Sequence, residues 1–387
     1  MRRLILLVAL AAMTLPAMAA KSVTVVQLEK ALTAATAAHK RDAELVRLIG
    51  GIELTERLTE TSLGRLGAHL VPGSKAALAL QLLADQSVFL DPPASELPAI
   101  AAQDNDAQRK TLEAMRSYVA QTLPHLPNFL ATRTINRYDD SPQAVTSGSW
   151  PVRAGLHLVD TSSREVSVFD ERENRPPVQG AAIRQGQVGL ISGGEFSATL
   201  GMIMEDTAQG TLTWSHWEET ADGTYAVFKY SVPKSASHYE VVSSVQRQAA
   251  LEGHPVLTGG SRGVSSFGMT PSAAGASNPS IVHAKPGYHG SIWLDPATGT
   301  ILRITIVAEP KDLSAFKQAD IMVQYGAIEL GSKEFICPVR SLALSVAAVA
   351  PDPAGDAPGE ELNETLFTGY QRFASTTRIL TDTPAPK

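Results

Sequence analysis

Near residue 163 the hydrophobic period of this chain changes from 3.6 to 2, and that change sharply limits the folds open to it. Before it, Leu45, Leu48, Ile49 and Ile52 fall at i, i+3, i+4 and i+7, one face of a helix. Ser74 can cap a helix carrying Leu78 and Leu82 on one side, and Asp106 begins another with Leu112, Met115 and Val119 in register. Gly50-Gly51 and Asp91-Pro92-Pro93 break the helical run. After it, Val166 and Val168 alternate with Ser167. Ala226, Phe228, Tyr230 and Val232 point one way, and Tyr225, Val227, Lys229 and Ser231 the other. Leu302, Ile304 and Ile306 alternate with Arg303 and Thr305; Ile321, Val323 and Tyr325 alternate with Met322 and Gln324. Each reads as a half-buried antiparallel strand.

Phe129 to Tyr138 reads as a first strand. Asp295-Pro296-Ala297-Thr298-Gly299 joins two strands into a hairpin over 290–308, because proline presets one turn dihedral and glycine supplies the positive one. A short helix interrupts the strands near Ser197 to Thr207, with Ser197 as its cap. The spacing predicts an α+β fold: a helical region over 21–127, then a large curved antiparallel sheet over 128–380. Gly253 to Gly287 and Pro351 to Gly359 are dense in turn formers and read as long loops; 381–387 is a flexible tail.

The first twenty residues belong to no fold. Arg2 and Arg3 precede an apolar run from Leu4 to Leu15, too short to span a bilayer, and Ala17-Met18-Ala19 is a small-x-small signature. This is a secretory signal peptide with cleavage after Ala19 or Ala20, and it places the protein in the periplasm or outside the cell. The net charge is −6 and turns more negative without Arg2 and Arg3, which argues against nucleic-acid partners. No later stretch is long and apolar enough for a transmembrane anchor. The single cysteine, Cys337, lies in the strand-like Phe335-Ile336-Cys337-Pro338 and reads as a small core residue. It allows no internal disulfide and leaves no thiol at the cleavage site to carry a lipid anchor.

No motif names a reaction. Gly259-Gly260-Ser261-Arg262-Gly263 matches the letters of a nucleophile elbow, but no helix follows the serine, as that turn requires. The nine histidines show no metal-ligand spacing, so no metal and no cofactor is expected. The carboxylate pairs Asp139-Asp140, Glu205-Asp206 and Glu218-Glu219 read as solvated charge. Trp214 and Trp217, three apart on one strand, should face opposite sides. Asn363-Glu364-Thr365 fits a glycosylation sequon by chance.

The stretch Gly290-Ser291-Ile292-Trp293-Leu294-Asp295-Pro296-Ala297-Thr298-Gly299-Thr300-Ile301-Leu302-Arg303-Ile304 resembles the paired central strands of the LolA-like group, periplasmic lipoprotein carriers and related sorting proteins. The segments 319–330 and 333–346 are similar to later strands of that group. The resemblance covers residues 160–380 and implies a half-barrel with an inserted helix. Leu123 to Arg133 and Gly193-Gly194-Glu195-Phe196 also resemble exported acidobacterial-type proteins, a group that implies no activity.

The expectation is therefore a noncatalytic binding protein that holds a hydrophobic ligand, such as a lipid or acyl chain, in a sheet concavity closed by helices. Phe228, Tyr230, Trp293, Ile304, Ile306 and Tyr325 are the candidate lining residues, with ordinary core packing as the competing role. An envelope interaction or scaffold module, with the helical region as its partner surface, is the alternative. A hydrolase using Ser261 is the second alternative.

Overall fold

A computed structural model of the chain describes residues 21–122, 126–141, 155–169, 172–173, 190, 192–220, 223–245, 280–314, 316–348 and 359–372. Residues 1–20 with the expected cleavage site, most of the expected loops 253–287 and 351–359, Ser261, His254 and the tail 381–387 lie outside them.

The chain starts with β1 (Lys21–Val23), α1 (Val25–Ala37), α2 (Asp42–Gly50), β2 (Ile52–Leu54), α3 (Glu60–Gly67) and α4 (Lys75–Gln86). Polar side chains set the helix starts. Thr24 closes a capping box with Gln27 on α1, and Thr59 and Ser74 accept from the third amide of α3 and α4. α2 stops at Gly50, so Ile52 leaves the helix face predicted for it and enters β2, which pairs in parallel with β1. Leu28, Leu32, Ile49, Leu66 and Leu80 form the centre of a core private to this layer. On α4 the expected pairing of Leu78 with Leu82 fails. Leu82 is buried against the sheet while Leu78 is exposed, because α4 buries one side in its own layer and another on its neighbour.

α5 (Asn105–Thr122) is the helix expected from Asp106, within the predicted helical region 21–127. Met115 and Val119 join the main core of the sheet, so α5 packs with the strands and not with α1–α4.

The strands are β3 (Phe129–Asp139), β4 (His157–Phe169), β5 (Arg172–Glu173), β6 (Thr211–Thr220), β7 (Gly223–Val232), β8 (Val241–Val245), β9 (Ser280–Ala284), β10 (Tyr288–Leu294), β11 (Ile301–Ala308), β12 (Phe316–Leu330), β13 (Lys333–Ala347) and β14 (Glu360–Arg372), with α6 (Ala198–Thr207) before β6. Ten of them form one sheet in the order β5-β4-β3-β14-β13-β12-β11-β10-β7-β6, antiparallel throughout. β5 and β6 are its edges, so the sheet is open. The α+β class and the inserted helix are as the sequence predicts, although Ser197 makes no side-chain cap bond. β9, paired with β8, occupies the end of the predicted loop 253–287; there the short apolar run Ser280–Ala284 finds a ladder partner.

The central strands are buried on both faces, not half-buried. Ile304, Ile306, Ile321, Val323 and Ala343 lie under α5 and α6. Met322, Leu342 and Leu344 lie under Leu82, Val88 and Phe89 of the N-terminal layer. The sheet is thus a middle layer between two helical ones. Cys337 is buried in a third cluster with Phe129, Phe196 and Phe367, and burial pushes its thiol up to about 12.

Candidate functional site

A cleft of about 330 Å³ separates the α1–α4 layer from the sheet. Its floor is a cross-strand row. Trp293 on β10 pairs with Arg303 on β11, Arg303 with Gln324 on β12, and Gln324 with Arg340 on β13. Because side chains alternate along strands, the row faces away from the Ile304 core and toward α3 and α4. Arg303, Gln324 and Arg340 line the cleft, with Met322 beside them and Glu218 of β6 at one end. The opposite wall is Arg57, Leu58, Glu60, Leu63, Gln81 and Asp85, and Ser95 and Glu96 close the rim.

Ion pairs tie the two walls together. Arg57, 3% exposed, bonds the buried Glu218. Glu218 also accepts from Trp293 Nε1 at 2.8 Å and lies 3.5 Å from His216 Nε2. Burial raises the Glu218 carboxyl, but the His216 hydrogen bond, the Arg57 charge and the Trp293 donor outweigh it and hold it at about 2. The guanidiniums of Arg57 and Arg303 each lie 5.4 Å from the Trp293 ring centre. Arg340 reaches Asp85 and Glu364, both at 2.7 Å. Arg303 reaches Glu60 at 3.3 Å. Glu96 accepts from Thr59 and Ser62, which orders the start of α3.

The structure divides the six candidate lining residues. Phe228, Tyr230, Ile304, Ile306 and Tyr325 are buried in the core beneath α5 and α6. Tyr230 donates to Thr305 O at 2.6 Å and Tyr325 to Glu195 O at 3.1 Å, so both phenols are used structurally. Phe228 packs edge-on to Trp214 at 5.5 Å. Trp293 sits on the other face, under the two arginines, and none of the six lines the cleft.

Trp214 and Trp217 share a face and touch at 4.9 Å, contrary to the alternation argument. The ladder slips between Trp214 and His216, and the extra residue, Ser215, restores both indoles to one side. Each carboxylate pair divides into one buried and one more exposed member. Glu218 is buried beside the cleft while Glu219 is exposed. Asp206 accepts from His238 Nδ1 at 2.5 Å and Tyr288 Oη at 2.7 Å, while Glu205 faces solvent. Asp139 is buried against Arg137, with Asp140 less so. Asn363 is buried and donates to Leu190 O, which leaves no exposed sequon amide. No cluster of metal-ligating side chains occurs among the described residues.

The charged lining was missed because alternation arguments follow apolar residues. Arg303, Gln324 and Arg340 were visible as polar positions in apolar strands, but nothing in the sequence showed them adjacent. Arg57 carries no local signal at all. Comparison of the chain with family models, with curated proteins and with solved structures finds no match.

Proposed function

We propose that the protein is an exported, noncatalytic binding protein whose ligand is small and polar and enters the cleft between the α1–α4 layer and the sheet. The observation that supports this most is the cleft itself, about 330 Å³ with cations and carboxylates on both walls. The apolar face on which an acyl chain was expected carries α5, α6 and their packed side chains instead, which favours a polar ligand over a lipid. The leader Met1–Ala20 supports export to the periplasm or beyond. The LolA-like resemblance stays part of the same reading and is carried by the Gly290–Ile304 stretch of the sequence. An envelope-interaction role is the second reading, favoured by Val71, 73% exposed, and by exposed Leu78 and Ile100 on the helical region.

The test is thermal unfolding of the mature protein against amino acids, hydroxy acids and monosaccharides, with lipid mass spectrometry of an organic extract. Polar compounds should raise the melting temperature, and Ser95→Trp, an exposed rim substitution, should abolish the rise. Stoichiometric lipid with no response to any polar compound would overturn the reading.

A further inference from the structure

We infer that the cleft grips its ligand through a monoanionic carboxylate held by Arg303, the ligand being a small hydroxy or amino carboxylate; this rests on the cleft reading above. Among the described residues, three guanidiniums line the cleft, and two are already engaged. Arg57 is bonded to Glu218, and Arg340 is shared between Asp85 and Glu364. Arg303 has five N–H donors, and its carboxylate partner is Glu60 at 3.3 Å. Glu60 is a weak partner, since its side chain is 60% exposed and sits on the first turn of α3. The Arg303 side chain is 15% exposed and lies over Trp293, which orients the planar fork.

The local charge supports the same assignment. Arg57 and Arg303 flank one indole, and of the two buried carboxylates in the cleft Glu218 is bonded to Arg57 while Asp85 is bonded to Arg340. Burial and the neighbouring Arg57 disfavour the charged form of Arg303 by more than Glu218 and Glu60 favour it, so its resident anions compensate it only in part. A carboxylate meets the guanidinium fork with two parallel bonds. Glu60, Asp85, Glu96, Glu218 and Glu219 line the same cleft and repel a phosphate dianion more strongly than a carboxylate monoanion. Those acceptors, with the Gln81 and Gln324 amides, suit hydroxyl or ammonium donors on the rest of the ligand. The volume stands at the small end of the range for small-molecule sites.

The test is titration calorimetry of the mature protein at low ionic strength with glycolate, lactate, glycine and alanine as probes, and with inorganic phosphate and glycerol as controls. At least one carboxylate probe should bind, and neither control should. Arg303→Gln, folded by circular dichroism, should weaken binding at least tenfold, with Arg303→Lys in between. Glu60→Gln removes the resident competitor and should tighten binding about threefold, a gain that a purely structural Arg303 would not produce. Equal binding of phosphate, no loss in Arg303→Gln, weaker binding in Glu60→Gln, or no binding of any carboxylate probe would each overturn the inference. If glycerol binds and Ser95→Trp blocks it, the cleft reading stands without the carboxylate. If Ser95→Trp leaves all binding unchanged, both fall.

Discussion

Glu218→Gln isolates what the charge on one buried carboxylate contributes to joining the two layers. The substitution keeps the shape and an oxygen acceptor for Trp293 Nε1, but it leaves Arg57, 3% exposed, as a buried cation with its neutralising charge removed. The Glu218 carboxyl lies at about 2 against an ordinary value of 4.5. At about 1.4 kcal/mol for each tenfold change in proton affinity, the charged form adds about 3 kcal/mol to stability near neutral pH. That agrees with the roughly 3–5 kcal/mol expected when one partner of a buried pair is removed. The pH dependence has a fixed sign. A carboxyl with a depressed folded value stabilises the fold above about 4.5, and that stability is lost as pH falls toward about 2. Urea unfolding of the wild type and Glu218→Gln at pH 7 should therefore differ by about 3 kcal/mol, and the difference should shrink by about 2 kcal/mol by pH 3. Arg57→Met together with Glu218→Gln should cost less than the two singles combined. A difference below about 1 kcal/mol at pH 7, or one that is flat from pH 6 to pH 3, would refute the latch.

Phe228→Ala should cost about 3–5 kcal/mol in urea unfolding, because the ring is fully buried in the main core. A cost under about 1 kcal/mol would return Phe228 to a cavity wall. Asp320 is pushed up to about 7 by burial against weaker help from Gln318 and the Ala308 and Ala319 amides. Its neutral form favours the fold, so stability falls as pH rises from about 4 through about 7. Asp320→Asn should gain up to about 4 kcal/mol at pH 8 and almost nothing at pH 4, by urea unfolding at both values. Gly299→Ala should destabilise far more than Gly73→Ala. Both glycines have φ of 74°, but a Cβ on Gly299 would lie 2.3 Å from the Ala114 backbone of α5, while Gly73 has open space. Gly73→Ala should cost about 1 kcal/mol and Gly299→Ala at least twice that, read as paired melting curves.

Much of the architecture was legible because period and capping are local. Phe129–Asp139, the 288–308 hairpin and the helix at Ala198–Thr207 follow from alternation, an Asp-Pro…Thr-Gly turn and a change of period. The errors have local causes as well. One bulge at Ser215 put Trp214 and Trp217 on the same face, and alternation assumes a ladder without bulges. Leu78 kept the helical period of a buried residue and is exposed, since period does not say which face meets a neighbour.

The sequence by itself determined the helical start and the later antiparallel strands, the positive-φ turn at Gly299 and the place of Cys337 in a strand, because each depends on side chains within a few positions. Only the tertiary structure decided that α5 leaves the N-terminal layer for the sheet core, and that both faces of the central strands are covered. It also decided that Arg57 meets Glu218, 161 positions away, over the Trp293–Arg303–Gln324–Arg340 row. Strand order and layer docking set those contacts, and neither leaves a trace in the period of any one segment.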